Sequence, residues 1–184
     1  MSFFKTLPPE AGPPYVYTLY PDIYGPWSEM SQAVMNGPSP LTQGERELIF
    51  AYAAGAVNCK LVHIAHSEVA YAWGVERGLV EKLLEDFDNT PIESKLRAML
   101  AYVRKVMLTP SEIVQDDVDT VLAAGWDEKA LHDAIVVTAR AAFMSRFAGG
   151  HGFAPLTREA AAKRAVQRVE QGYVNLYPTF RKDK

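Results

Sequence analysis

From Thr42 onward, apolar residues return every three or four positions, the spacing that lines one face of an α-helix. Thr42 and Glu45 in TQGE have capping-box spacing, and Leu48, Ile49, Tyr52 and Ala53 then recur at helical intervals up to a stop near Gly55. Asn58 reads as the N-cap of a second helix, from Cys59 to about Trp73, closed by Gly74. A shorter helix is expected over 78–86. Thr90, Pro91 and Glu93 repeat the start signal for a helix reaching about Met107. TPSEIVQDDVDTVLAAG predicts another, ending at Gly125. Asp127 caps a long apolar helix, EKALHDAIVVTARAAFMSRF, with a stop at Gly149-Gly150, and REAAAKRAVQRVEQG supplies the last. No alternating strand pattern of useful length occurs, so the fold class is all-α.

The first 40 residues break this rhythm. Eight of the twelve prolines lie there, interleaved with Tyr15, Tyr17, Tyr20, Tyr24 and Trp27. Proline removes donors and restricts its predecessor, so the segment is expected to be mostly non-helical. So many aromatics argue for an arm packed on a body, of this subunit or of a partner. The organisation expected is therefore a proline- and aromatic-rich arm (1–40), a helical core (41–155), and a C-terminal helix with its tail (156–184).

Composition narrows the function. The 184 residues suit one domain, and 48% apolar content is enough to fill a core. A net charge of −3 gives no basic face for nucleic acid, and no apolar run approaches a membrane span. The N-terminus has no sustained apolar stretch, so no signal peptide is expected. Cys59 is the single cysteine, which excludes an internal disulfide and fits the reducing cytoplasm.

The chemistry concentrates in NCKLVHIAH. With Asn58 as N-cap, Cys59 would sit in the first helical turn, where unpaired N–H groups and the helix dipole favour a thiolate. His63, four residues on, shares its face; His66, a further turn away, does not reach the sulfur. Glu47 interrupts an apolar stretch of the preceding helix, and a carboxylate entering a core needs a partner, which the histidines could supply. Other readings stay open. Cys59 could be small apolar filler, Glu47 a partner of Arg46 or Lys60, and the Cys/His set with Glu47 a zinc site. Ser67 with His63 lacks the surroundings of a nucleophile elbow.

The run RELIFAYAAGAVNCKLVHIAHSEVAYAWGV resembles the core of the AhpD-like alkylhydroperoxidase and carboxymuconolactone decarboxylase family. That core has a Glu, then Cys-x-x-Cys-x3-His twelve residues later, then a helix ending in Gly; Glu47, Cys59, His66 and Gly74 stand at those spacings. The stretch from ESKLRAML to SRFAGGHGF is similar to the second half of the peroxidase-related branch, with Ser145-Arg146 where that branch has an Asn-Arg or similar pair. The resemblance spans roughly residues 20–155. It implies an AhpD-like helical bundle, a homo-oligomer, and Cys59, Glu47 and His66 as site residues. The sequence carries no nucleotide, haem or phosphate motif, and no cofactor or metal is expected. The sequence departs from the family at Val62, where the second cysteine, the expected attacking thiolate, would stand.

An internal dithiol cycle is therefore impossible. A one-cysteine thiol peroxidase would use Cys59 with His63 or His66 as base, and a hydroperoxide and an external thiol as partners. A non-redox acid–base enzyme would use Glu47 and His66 on a carbonyl or lactone substrate, with Cys59 as wall. A third reading is a non-catalytic relative of the fold. The nearly all-apolar helix over 127–148 fits either an oligomer interface or a fully buried central helix. His132 reads as a surface or interface residue, His151 as a turn residue lining a pocket, and Arg146 as a structural ion-pair partner or a group that neutralises Glu47 or a substrate carboxylate.

Overall fold

The computed structural model describes residues 2–175, and these are all-helical. The first two helices, α1 (Pro13–Leu19) and α2 (Pro21–Asn36), occupy the segment expected to be irregular. The prolines fit because Pro13, Pro14 and Pro21 fall in first turns, where the missing N–H would have no partner inside the helix anyway. Only Pro26 lies inside a helix. The arm packs on its own chain. Tyr17 stacks on Tyr24 with centroids 4.4 Å apart and donates its hydroxyl to Met144 Sδ at 3.1 Å, while Phe3 N–H bonds to His151 O at 2.9 Å.

α3 (Gln43–Ala56) opens with the expected capping box. Thr42 Oγ1 accepts from Glu45 N at 3.1 Å, and Glu45 Oε2 accepts from Thr42 N at 2.7 Å. Its far end differs from the expectation. Asn58 has φ 57°, and Cys59 N and Asn58 N donate to Ala54 O and Gly55 O at 3.0 and 2.8 Å. This is a Schellman closure with asparagine in the left-handed position. Asn58 thus ends α3, and Cys59 itself, with no side-chain cap, precedes α4 (Lys60–Ala72).

The rest follows in order: α5 (Leu79–Glu85), α6 (Ser94–Leu108), a 3₁₀ turn at Pro110–Glu112, α7 (Gln115–Ala123), α8 (Glu128–His151) and α9 (Arg158–Asn175). The tail expected after this last helix lies outside the described residues. Thr90 does not cap α6. Its hydroxyl turns back onto Asp86 O, and Arg97 holds the loop by donating to the Phe87 and Thr90 carbonyls. Asp127 does cap α8, accepting from Ala130 N at 2.7 Å. That helix runs through Gly149 and Gly150 and stops only at Gly152, whose φ of 67° is left-handed.

α3 is the centre of the bundle. Leu48 through Ala54 is fully buried, and α3 packs against α4, α8 and α6. α9 lies across α4 and α2, so the C-terminal helix is built into the body. No helix among the described residues is long and apolar enough to cross a membrane.

Candidate functional site

Glu47 is 1% exposed and accepts two short hydrogen bonds. His66 Nδ1 lies 2.6 Å from its Oε2, and the Tyr173 hydroxyl donates to its Oε1 at 2.6 Å. Phe50, one turn beyond Glu47 on α3, stacks on the His66 ring with centroids 3.7 Å apart. The imidazole is thereby fixed in both orientation and tautomer. Its Nδ1 carries the proton that goes to Glu47, and its Nε2 is left as an acceptor.

Burial pushes the His66 imidazole down to about 4, although the Glu47 charge and hydrogen bond work against it. Burial would raise Glu47, but the electrostatic attraction of the His66 ring and its N–H, then Arg168 and the Tyr173 hydroxyl, outweigh it and hold the carboxyl below its usual range. At neutral pH the pair is a carboxylate beside a neutral imidazole. Tyr173 is pushed up, first by burial and then by Glu47, so its hydroxyl keeps its proton.

His66 opens onto a cavity of about 370 Å³. Its walls come from the arm (Pro8 to Tyr17), α2, α4, α8 and α9. Val62 and His66, four residues apart on α4, stand side by side in this wall, with Val69, Met144 and Leu156 adding apolar surface. Its polar groups include Glu10, Ser28, Ser31, Arg140, Arg164, Arg168 and Tyr173.

Glu47 and His66 are therefore in direct contact. Cys59 and His63 stand apart from them. Cys59 is half-buried, does not line the cavity, and has its sulfur 3.9 Å from Ser145 O. His63 directs Nδ1 toward Ala51 O (3.3 Å) and Ser67 Oγ (3.5 Å), and Nε2 toward Glu81 (3.6 Å), so neither nitrogen is aimed at the thiol. Burial lowers its basicity, opposed by the Ala51 carbonyl and Glu81. Ser67 is fully buried. No group of three or more His, Cys, Asp or Glu side chains converges as metal ligands would, among the described residues.

Three other expectations are corrected. Arg46 does not pair with Glu47; its Nη1 donates to the Val34 and Gly37 carbonyls. Arg146 is exposed and bonds back to Ala142 O, and His151 ends α8 between Phe4 and Phe153, outside the cavity wall. The residues the sequence did not flag are Tyr173, Arg140 and Arg168. Arg140 had a visible signal, a lone charge within AIVVTARAAF. Tyr173 had none, because its contact with Glu47 spans 126 positions.

No protein-family model and no curated protein sequence matches the chain. Among solved structures, it is similar to the alkylhydroperoxidase AhpD core of an uncharacterized peroxidase-related protein from Ralstonia eutropha JMP134. The TM-score is 0.73 at 22% identity, over 80% of this chain and 76% of that one. A second likeness is to an uncharacterized peroxidase-related protein from Silicibacter sp. TM1040, with a TM-score of 0.66 at 21% identity over 81% and 90%. The chain thus has the AhpD-like helical fold.

Proposed function

We propose that this protein is an acid–base enzyme built on the AhpD-like fold, in which His66, oriented by Glu47, moves a proton on a small carbonyl or lactone substrate held in the cavity. The observation that carries this reading is the division of the motif. The His66–Glu47 pair meets the cavity, whereas the only thiol lies outside its wall. Val62 presents an isopropyl group where the resemblance would put the attacking sulfur.

The step follows from the tautomer. His66 Nε2 takes a proton from the carbon next to the substrate carbonyl, and the Glu47 carboxylate stabilises the imidazolium so formed. The same nitrogen returns the proton at another position or to another atom. Tyr173 keeps the second oxygen of Glu47 occupied, so the carboxylate stays in place throughout.

The peroxidase-related names of the two solved neighbours favour a second reading. In it the Cys59 thiolate takes one oxygen of a hydroperoxide, releasing an alcohol and becoming a sulfenic acid. Two equivalents of an external thiol then reduce it, giving water and their disulfide. One pair of assays separates the two. Proton NMR in D2O should show exchange at carbon next to carbonyl across a panel of small ketones and lactones. That exchange should be lost in His66→Asn and unchanged in Cys59→Ser. Hydroperoxide turnover with a thiol reductant, abolished by Cys59→Ser, together with no exchange on any panel member, would reverse the assignment.

A further inference from the structure

Arg140 enters the cavity wall from α8 with no carboxylate bonded to it among the described residues. It is 5% exposed, and its Nε donates to Ser31 Oγ at 2.9 Å. Its Nη1 is buried without a hydrogen-bond partner among the described residues. Three aromatic rings surround the guanidinium, with Cζ lying 5.4, 4.8 and 4.6 Å from the ring centroids of Trp27, Phe50 and Tyr173. Rings favour a cation but offer its N–H groups no in-plane acceptor. A desolvated guanidinium with an idle donor is costly to keep unless something arrives to accept from it.

The rest of the wall describes what arrives. Arg164 and Arg168 line the same cavity along with one carboxylate, Glu10, while Val62, Val69, Met144, Leu156 and Ala165 supply apolar surface. A carboxylate suits the one buried guanidinium and leaves the remainder of the ligand to the apolar wall. The volume of about 370 Å³ is near the lower end of the roughly 300–1,000 Å³ typical of small-molecule sites.

We infer that Arg140 anchors the carboxylate of a small amphipathic organic anion, a monocarboxylate with a single-ring or similarly short apolar body, in the cavity that His66 faces. This rests on the cavity being the site of the His66 chemistry. The anchored carboxylate fixes where the rest of the substrate lies relative to Nε2, the positioning that proton transfer requires.

The test compares benzoate with benzamide, its uncharged isostere, by titration calorimetry on the full chain. Benzoate is expected to bind at least tenfold tighter than benzamide to the parent protein. In Arg140→Gln the preference should fall to about one, with benzamide affinity kept as the sign that the cavity is intact. If that variant does not fold, a benzoate-soaked crystal of the parent decides: the carboxylate is expected against Arg140 Nη1. Equal binding of benzoate and benzamide overturns the inference. So does a preference that survives Arg140→Gln, a carboxylate placed elsewhere, or displacement of benzoate by inorganic phosphate at equal concentration. The readout is binding, and His66→Asn should retain the benzoate preference. Preference without proton exchange therefore fails the acid–base reading alone, and exchange on neutral ketones without the preference fails this one alone.

Discussion

Replacing His66 by Asn should make the protein less sensitive to mild acid. In the unfolded chain the imidazole titrates near 6.5, whereas in the folded protein burial holds it neutral down to about 4. Between these values the unfolded state binds the extra proton, so stability falls as pH falls. His66's contribution is fully present above pH 6.5 and lost as the solution approaches pH 4. One pH unit corresponds to about 1.4 kcal/mol, so the whole window is worth roughly 3 kcal/mol, and about 2 kcal/mol of it lies between pH 7 and 5. The groups facing the imidazole are Glu47 on α3, Arg140 on α8 and Arg168 on α9. Glu47 is held below its usual range, so it remains ionised across pH 7 to 5. His63 is also lowered by burial, but it is present in both proteins and cancels in the comparison. Asparagine does not titrate, and its amide can still donate to Glu47. Urea unfolding at pH 7, 6 and 5 at constant ionic strength, followed by tryptophan fluorescence, measures the difference. The parent should lose about 2 kcal/mol more than His66→Asn over that range. Parallel losses would refute the reasoning. A parent that gains on the variant as pH falls would show His66 to be a buried imidazolium paired with Glu47, the opposite of the state described.

Tyr173→Phe removes a 2.6 Å hydrogen bond to a buried carboxylate, and should cost about 1.5–3 kcal/mol by denaturant unfolding at pH 7. Gly172→Ala should cost about 1–3 kcal/mol and detach Tyr173, because Gly172 has φ 67° and ψ −160° and a Cβ there would run into Gln32; chemical denaturation of the two variants should give losses of similar size. Val62→Cys places a thiol on the cavity wall three residues from Cys59, and should create hydroperoxide turnover with a thiol reductant, read by coupled assay, together with a disulfide between Cys59 and the introduced thiol, read by mass spectrometry. A Val62→Cys protein that folds but neither turns over peroxide nor forms the disulfide would break the link drawn between the fold and thiol chemistry.

Local patterns carried much of the architecture. The period of the apolar residues placed α3 to α6, α8 and α9 with shifts of a few residues at their ends, since burying one face of a helix is a local demand on sequence. The stretch expected as one helix up to Gly125 divides instead into the 3₁₀ turn at Pro110–Glu112 and α7. The capping box of α3 and the Asp127 cap of α8 were equally legible, each made within four residues. Where local signals compete, the chain could not decide by itself. Asn58 suits a helix start and a left-handed stop equally well, and the stop prevails because Ala54 and Gly55 need donors for their carbonyls. The prolines of the arm argued against helix, yet Pro13, Pro14 and Pro21 fall in first turns, where a helix tolerates them. The site divides in the same way. Glu47 and His66 were readable as a pair because a buried carboxylate demands a partner and the next helix had one to offer. Which side of α4 faces the cavity, and so why Val62 is inside it and Cys59 outside, depends on α2, α8, α9 and the arm closing around α4. The same closure brings Tyr173 onto Glu47 and Arg140 against three aromatic rings. These contacts join residues up to 126 positions apart, and only the folded backbone brings them together.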